Sequence, residues 1–440
     1  MSLLLFAAAI AALVPAGFLA ARWLRAGELP RAAAVPVLAA AGMVILAAEM
    51  LLLDLLRIRW SVGLLIVPGV AGTIAFAIAR RGRTAVSAPL SGRARAALAV
   101  AGLELAVAFF LAATGHATSP DYVTFWGTKG QRFAALGAID LPYLRLIHPD
   151  YPPMVPFLEA WGAMVAGGFV WMGPTVFLPL FLALAASAFW GLSRETLGEA
   201  RAAELTAVLA GLLSYVGLVD LNAGGAEGPL WFFEALALGA LLLPGGGARD
   251  RIAGVALAGA VWTKAEGTAF AFLALAAFAL VRARGGRTLR FLRDAALLPA
   301  AAFLAWGLYC RAHGLASRFR AETLTAIELR LLPGVLLAMV QNAGYHAAYL
   351  PWVVVLLVIL GGRPGRGQRA AVACAAGLVG ILAVLYMHGA EVPRQMIGWS
   401  ASRALVGPVL CLFLAGATAP GSGRRGAQLP GETTPCSNPS

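Results

Sequence analysis

The chain has 440 residues, 60% of them hydrophobic and 12% charged, with a formal charge of +13. Together with a mean hydropathy of +0.81, this excludes a water-soluble globular domain and places the chain in a bilayer. The surplus charge lies in short arginine-rich runs between apolar stretches, with no basic stripe interleaved with aromatics, which argues against nucleic acid as a partner.

Apolar stretches of the roughly 17–25 residues that span a hydrocarbon core begin at once. Residues 2–21 carry neither a basic n-region nor an Ala-x-Ala site with a polar start after it, so they read as a first span rather than a cleaved signal. Spans at 32–53, 60–79 and 96–115 follow, then a polar loop at 116–152. Within it, Asp121–Leu136 reads as a short amphipathic helix. Asp121, Phe125, Thr128, Lys129 and Arg132 recur at i, i+4, i+7, i+8 and i+11 and share one face. That face offers one carboxylate to act as a base and two cations to hold a phosphate. Tyr122, Trp126 and Phe133 fall on a neighbouring face and suit the bilayer interface.

The turn His148-Pro149-Asp150-Tyr151-Pro152-Pro153 is rigid, because its prolines fix φ and restrict the residues before them. It reads either as a pocket wall with polar tips or as the entry of a juxtamembrane helix. The stretch 153–172 carries Pro156, Glu159 and Gly167-Gly168, and is expected to lie at or partly within the outer leaflet. Spans at 174–193, 202–221 and 229–244 come next, the last preceded by Gly224-Gly225-Ala226-Glu227-Gly228. A glycine-flanked Glu227 leaves room for a ligand, although an acid at a helix start also suits the helix dipole.

Only two of the 34 basic residues are lysines, Lys129 and Lys264. Lys264 stands between two apolar runs, where an ionisable side chain is by default a functional-site hypothesis. Between the arginines at 249–251 and those at 282–293 the chain must rise and return. The rising arm, about twelve residues, covers only ~18 Å of a ~30 Å core. The tip Lys264-Ala265-Glu266-Gly267 is therefore expected below the outer surface, in a protein-lined or wet cavity. Further spans are read at 294–310, 345–361, 370–387 and 402–418. The tail 419–440, rich in Gly, Pro, Ser and Thr, reads as disordered. The pattern predicts an all-α polytopic membrane protein of about 11–13 transmembrane helices with outer-face juxtamembrane helices.

Loops rich in arginine near span ends face the cytoplasm, and such runs occur at 22–31, 80–95, 194–201, 249–251, 282–293, 363–369 and 424–425. This orientation puts the N-terminus and 116–152 outside and the tail inside. The outer side then collects Asp121, Lys129, Arg132, Asp140, His148, Asp150 and Tyr151 from the early loop. Glu227, Arg394 and Arg403 join them from later ones, with Lys264 and Glu266 reaching up from below. Cys310, Cys374 and Cys411 lie in apolar spans and Cys436 in the tail, which is neither a disulfide framework nor a metal spacing.

The ordered set Asp121…Trp126…Lys129, HPDYPPMVP (148–156), AEGPL (226–230), WTKAEG (262–267) and SASR (400–403) resembles the GT-C superfamily of integral membrane glycosyltransferases. The similar branch is bacterial, akin to protein O-mannosyltransferases and to lipid A aminoarabinose transferases. The resemblance runs from about 116 to 418 and leaves 1–95 as an N-terminal transmembrane extension of a 96–418 core. It implies transfer of a hexosyl or pentosyl group from a polyprenyl-phosphate-linked donor to a glycan, lipid or protein acceptor. The reaction would lie on the outer face of the cytoplasmic (inner, plasma) membrane.

By the same resemblance Asp121 is the base or acceptor-orienting group. Glu227 stands where the family usually has an aspartate. Lys264 and Arg403 match the cations implicated with the donor phosphate, with Lys129 or Arg132 adding to the clamp from the rim. Trp126, His148, Asp150, Tyr151 and Glu266 would line the pocket. No Asp-x-Asp pair occurs, and since some relatives use a divalent cation and some do not, that cofactor stays open. A transporter or flippase of lipid-linked sugars explains the spans and the Lys264/Glu266 tip as well, but the chain shows no convincing internal repeat. A polymerase or ligase would depend on a long late outer loop, whereas here the longest outer loop is the early one.

Overall fold

The protein is described from a computed structural model. The structure describes residues 2–79, 89–114, 118–170, 173–219, 224–243, 246–283, 287–315, 327–345, 364–388 and 391–419. These are helical and contain no named strand; one isolated antiparallel bridge joins Ile327 to His388. The protein is an all-α multi-pass membrane protein, with nine helices among the described residues long and apolar enough to cross a bilayer.

The first helices are α1 (Ser2–Ala11), α2 (Leu13–Leu24), α3 (Arg31–Leu55), α4 (Val62–Leu65), α5 (Val67–Ala79) and α6 (Gly92–Ala113). The span expected at 60–79 is divided between α4, capped by the Ser61 hydroxyl, and α5. After a π-helical turn at Tyr122–Trp126 come α7 (Gly127–Leu136), α8 (Leu141–Leu146) and α9 (Met154–Ala166). The middle of the chain forms α10 (Gly173–Leu197), α11 (Glu199–Val219), α12 (Glu227–Leu242), α13 (Gly247–Thr263) and α14 (Ala265–Ala283). There follow α15 (Thr288–Phe291), α16 (Leu297–Ala312), α17 (Leu332–Tyr345), α18 (Arg366–Tyr386), α19 (Arg394–Ala404) and α20 (Val406–Ala417). Most of the span expected at 345–361 lies outside the described residues, as does the tail from 420 with Cys436.

Helices α12 and α13 form the centre. Every residue from Glu227 to Leu241 and from Ile252 to Thr263 is buried, as expected of helices apolar all round. Around them pack α10, α16 and α20. The outer helices carry exposed large apolar side chains, among them Leu103, Phe110, Phe272 and Leu280, the surface a bilayer solvates. Small residues set the closest approaches. A Cβ on Gly17 of α2 would stand 2.0 Å from the Leu38 carbonyl oxygen of α3, and one on Gly42 would stand 1.8 Å from that of Leu13. Such glycine contacts are how helices associate where burial in lipid supplies no hydrophobic drive.

Two expectations gain detail. Within 153–172, expected at or partly within the outer leaflet, α9 is covered by protein: it is buried from Met154 to Ala163, packed between α7 and α1. Trp161 Nε1 donates to the Ala9 carbonyl at 2.8 Å, so the N-terminal helices cover the face that its prolines and glycines made look peripheral. The arginine run at 249–251 is the first turn of α13 rather than a loop. The rising arm thus starts at Gly247 and its 17 residues reach about 25 Å.

The N-terminal helices also hold the segment after α7. Asp54 of α3 accepts from the Ile139 N–H at 2.8 Å and from the Tyr309 hydroxyl at 2.7 Å. Trp60 N–H donates to the Gly137 carbonyl at 2.6 Å. Gly137 ends α7 with φ +62°, the left-handed position that glycine fills without strain.

Candidate functional site

The break between α13 and α14 is a single residue. Lys264 is extended (φ −158°, ψ 159°) between two helices, and Gly267 allows the tight bend, since a Cβ there would meet the Ala260 carbonyl oxygen at 2.1 Å. The side chain of Lys264 is thereby brought to the start of α12. Its Nζ lies 3.0 Å from Glu227 Oε1 and 3.0 Å from Glu266 Oε1.

Arg403 approaches the same carboxylate from α19. Its Nη1 donates to Asp121 Oδ2 at 3.0 Å and to Glu227 Oε1 at 3.4 Å. Five side chains from four parts of the chain form one line of alternating sign: Asp121, Arg403, Glu227, Lys264, Glu266. Side-chain exposure is 2% at Glu227, 13% at Lys264 and 16% at Arg403, but 31% at Glu266 and 33% at Asp121. The line is closed in the middle and open at both ends. Glu227 binds both cations through one oxygen, and its Oε2 has no hydrogen-bond partner among the described residues.

Other side chains hold Arg403 in place. The Tyr386 hydroxyl and Ser400 Oγ share a 2.6 Å hydrogen bond, and Asn342 Oδ1 accepts from the Ser402 N–H at 3.1 Å. Asn342 Nδ2 also donates to the Gly398 carbonyl at 3.2 Å, so α17 and α18 together fix α19. Neither Tyr386 nor Asn342 was singled out from sequence. The available signal was a tyrosine in the apolar run ILAVLYM and the polar pair Gln341-Asn342 after LLAMV.

The two cations of the early loop go elsewhere. The helix expected over Asp121–Leu136 contains the π-helical turn at Tyr122–Trp126, which inserts one residue and rotates Asp121 relative to α7. Arg132 is half-exposed and pairs with Asp140, whose Oδ1 also accepts from the Tyr143 N–H at 3.0 Å. Asp140 is buried and caps α8, so this pair anchors a helix start. Lys129 is 1% exposed, and its Nζ donates to the His148 carbonyl at 2.9 Å. The ammonium also lies 5.8, 5.9 and 6.0 Å from the ring centres of Phe125, Trp126 and Tyr151, within cation–π range.

Trp126, Tyr151 and His148 form one stack, with Phe125 tilted against it. Trp126 and Tyr151 are 5.5 Å apart, and Tyr151 and His148 4.7 Å apart, both nearly parallel. His148 itself has φ +46°, a strained conformation for a residue with a side chain. Lys129 holds its carbonyl, and Trp306 Nε1 holds the Asp150 carbonyl at 3.0 Å. Tyr122, Phe125 and Trp126 pack with Val155 and Ala226, the residue before Glu227. Tyr122, Trp126 and Phe133, expected at the bilayer interface, are all buried. Burial, and then the nearby Glu159, push the Tyr122 hydroxyl above its usual range, so it stays neutral.

One further acid lies deeper. Glu234, two turns below Glu227 on α12, is 2% exposed, and its Oε2 has no partner among the described residues. A Cβ on Gly407 would stand 3.0 Å from its Oε1, so α20 leaves room for it there. Its signal was a lone acid inside the apolar run WFFEALALG.

The three carboxylates of the line are separated by cations and do not converge on a point. Among the described residues no group of three or more His, Cys, Asp or Glu could hold a metal ion. This donor set does not fit a divalent cation. It fits a ligand that carries negative charge to Lys264 and Arg403 and takes over bonds now made by the acids. No family model, curated protein or solved structure matches the chain.

Proposed function

We propose that the protein is a membrane glycosyltransferase that moves a sugar from a polyprenyl-phosphate donor to an acceptor hydroxyl or amine. In this reading it works at the outer face of the cytoplasmic membrane, the side to which the arginine runs assign residues 116–152. The observation that carries the reading is the Asp121–Arg403–Glu227–Lys264–Glu266 line. It combines an accessible carboxylate with two recessed cations, the parts needed for a proton acceptor and a phosphate clamp.

The pairing gives the mechanism an order. Without donor, Asp121 and Glu266 neutralise the outer sides of Arg403 and Lys264. A donor phosphate entering between the open ends replaces those bonds and releases Asp121. The acceptor oxygen or nitrogen then attacks the anomeric carbon and loses its proton to Asp121. The bond from that carbon to the phosphate oxygen breaks, and its electron pair leaves on the phosphate, where Arg403 and Lys264 stabilise the added charge. Glu227 stays beneath both cations and keeps them from separating. It is a positioning residue, as are Lys129 through the His148 turn and Arg132 through Asp140.

The test is transfer by purified protein offered a panel of radiolabelled polyprenyl-phosphate sugars in liposomes. Label moving to an acceptor, and lost in Asp121→Asn, supports the reading. A second reading, a flippase or transporter of lipid-linked sugars, draws on the broken helix at Lys264. In the same liposomes it predicts donor crossing the bilayer with no label transferred.

A further inference from the structure

Helices α12, α13 and α14 have a second polar end, opposite the ion line. It holds a cavity of about 690 Å³ built from the end of α12, the start of α13, the end of α14, α15 and the start of α18. Arg25, Arg282, Arg287 and Arg290 line it, and among the described lining residues Asp250 is the one acid. We propose that this cavity binds the phosphate headgroup of an anionic phospholipid, a site separate from the transfer chemistry and independent of it.

The charge there is incompletely matched. Arg282 Nη2 reaches Asp250 Oδ1 at 3.3 Å, but its buried Nε has no hydrogen-bond partner among the described residues. Arg290 is 3.9 Å from Asp294, which Arg293 binds more closely at 2.9 Å. Arg25 pairs with Glu28 at 2.6 Å. Arg287 is exposed and makes no ion pair among the described residues. The start of α13 adds to this field. Its N-cap is Gly246, with no side chain to cap the first N–H groups, and both Gly246 and Gly247 line the cavity. A Cβ on Gly247 would stand 3.1 Å from Asp294 Oδ2 and 3.4 Å from Arg290 Nη2, which places that ion pair beside the helix start.

The remaining walls select a lipid over a soluble anion. Leu241, Leu242, Phe278 and Phe291 line the cavity together with the arginines. Leu280 lies on α14 with Arg282 and Leu289 on α15 with Arg290, and they are 72% and 84% exposed, an apolar surface suited to acyl chains. The volume is within the ~300–1,000 Å³ of small-molecule sites, enough for a headgroup and the first carbons of its chains.

The experiment is native mass spectrometry of the detergent-purified full chain, titrated with phosphatidylglycerol, phosphatidylcholine or inorganic phosphate. Phosphatidylglycerol should bind more tightly than phosphatidylcholine. The double variant Arg287→Gln/Arg290→Gln should lose about fivefold in affinity per arginine, or ~25-fold in all, the factor for one surface cation near a lipid phosphate. Arg287→Lys/Arg290→Lys should keep most of it, since the attraction is to charge. Equal binding of the two phospholipids, or unchanged affinity in the glutamine variant, overturns the proposal. Inorganic phosphate competing as well as the lipid also overturns it, assigning the cavity to a soluble anion.

Discussion

At one end of α12, α13 and α14, five charges alternate in sign and each cation lies between two carboxylates; at the other, four arginines line a cavity with one aspartate on its wall. The first end is buried in its middle, where an unpaired charge would be costly, so every charge has a partner. The second opens beside exposed leucines, where solvent or headgroups can satisfy arginines that the protein leaves in excess. Burial, more than the number of charges, decides how strictly each end is balanced. A substitution that removes one charge should therefore matter greatly at the first end and little at the second.

Asp121→Asn should give the largest effect. It keeps the shape and a hydrogen bond to Arg403 but removes the proton acceptor, and losing a positioned base costs ~10²–10⁴ in rate. Transfer should fall by that factor while donor binding, followed by equilibrium titration, stays. Normal transfer in this variant would move the base elsewhere.

Glu227→Gln tests the buried centre. Removing the carboxylate leaves Arg403 and Lys264 against each other with one partner each, and breaking such a buried pair costs about 3–5 kcal/mol. The apparent Tm of the purified protein should drop sharply. An unchanged Tm would mean that water already screens the pair.

The two lysines should separate. Lys264→Met should weaken donor binding by ~1.5–3 kcal/mol, the value of a charge-assisted hydrogen bond. Lys129→Met should cost a similar ~1.5–3 kcal/mol of stability by freeing the His148 carbonyl, with donor affinity little altered. Loss of donor affinity in Lys129→Met, at unchanged stability, would return Lys129 to the phosphate clamp. The smallest effect belongs to the cavity end. Arg287→Gln should change stability by no more than about 0.5 kcal/mol and leave transfer at its wild-type rate.

Some of this was legible in the chain and some was not, for separable reasons. The break at Lys264 follows from counting residues between arginine runs, and the structure interrupts the helix at that residue. The pieces that meet are also marked in sequence: a loop aspartate, a glycine-flanked acid, a lysine between apolar runs and an arginine before the last helix. Their meeting is a tertiary fact, since Asp121 and Arg403 are 282 residues apart. The destinations of Lys129 and Arg132 were not legible. A helical wheel assumes 100° per residue throughout, and the π-helical turn breaks that assumption after Asp121. Asp140 took Arg132 because it caps α8, a pairing no periodicity displays. The burial of α9 was hidden because its cover comes from α1, about 150 residues earlier in the chain.

The π-helical turn at Tyr122–Trp126 also sets where the gene can lose a codon without harm to the site. The turn holds one residue more than the α-helix it interrupts, so in-frame loss of a single codon within it would let the segment close into ordinary α-helix with Asp121 and α7 still in register. Loss of one codon from the regular helix α7 would leave composition and hydropathy just as untouched, yet everything before it would turn by about 100° and shift by about 1.5 Å. Asp121 would then swing away from Arg403.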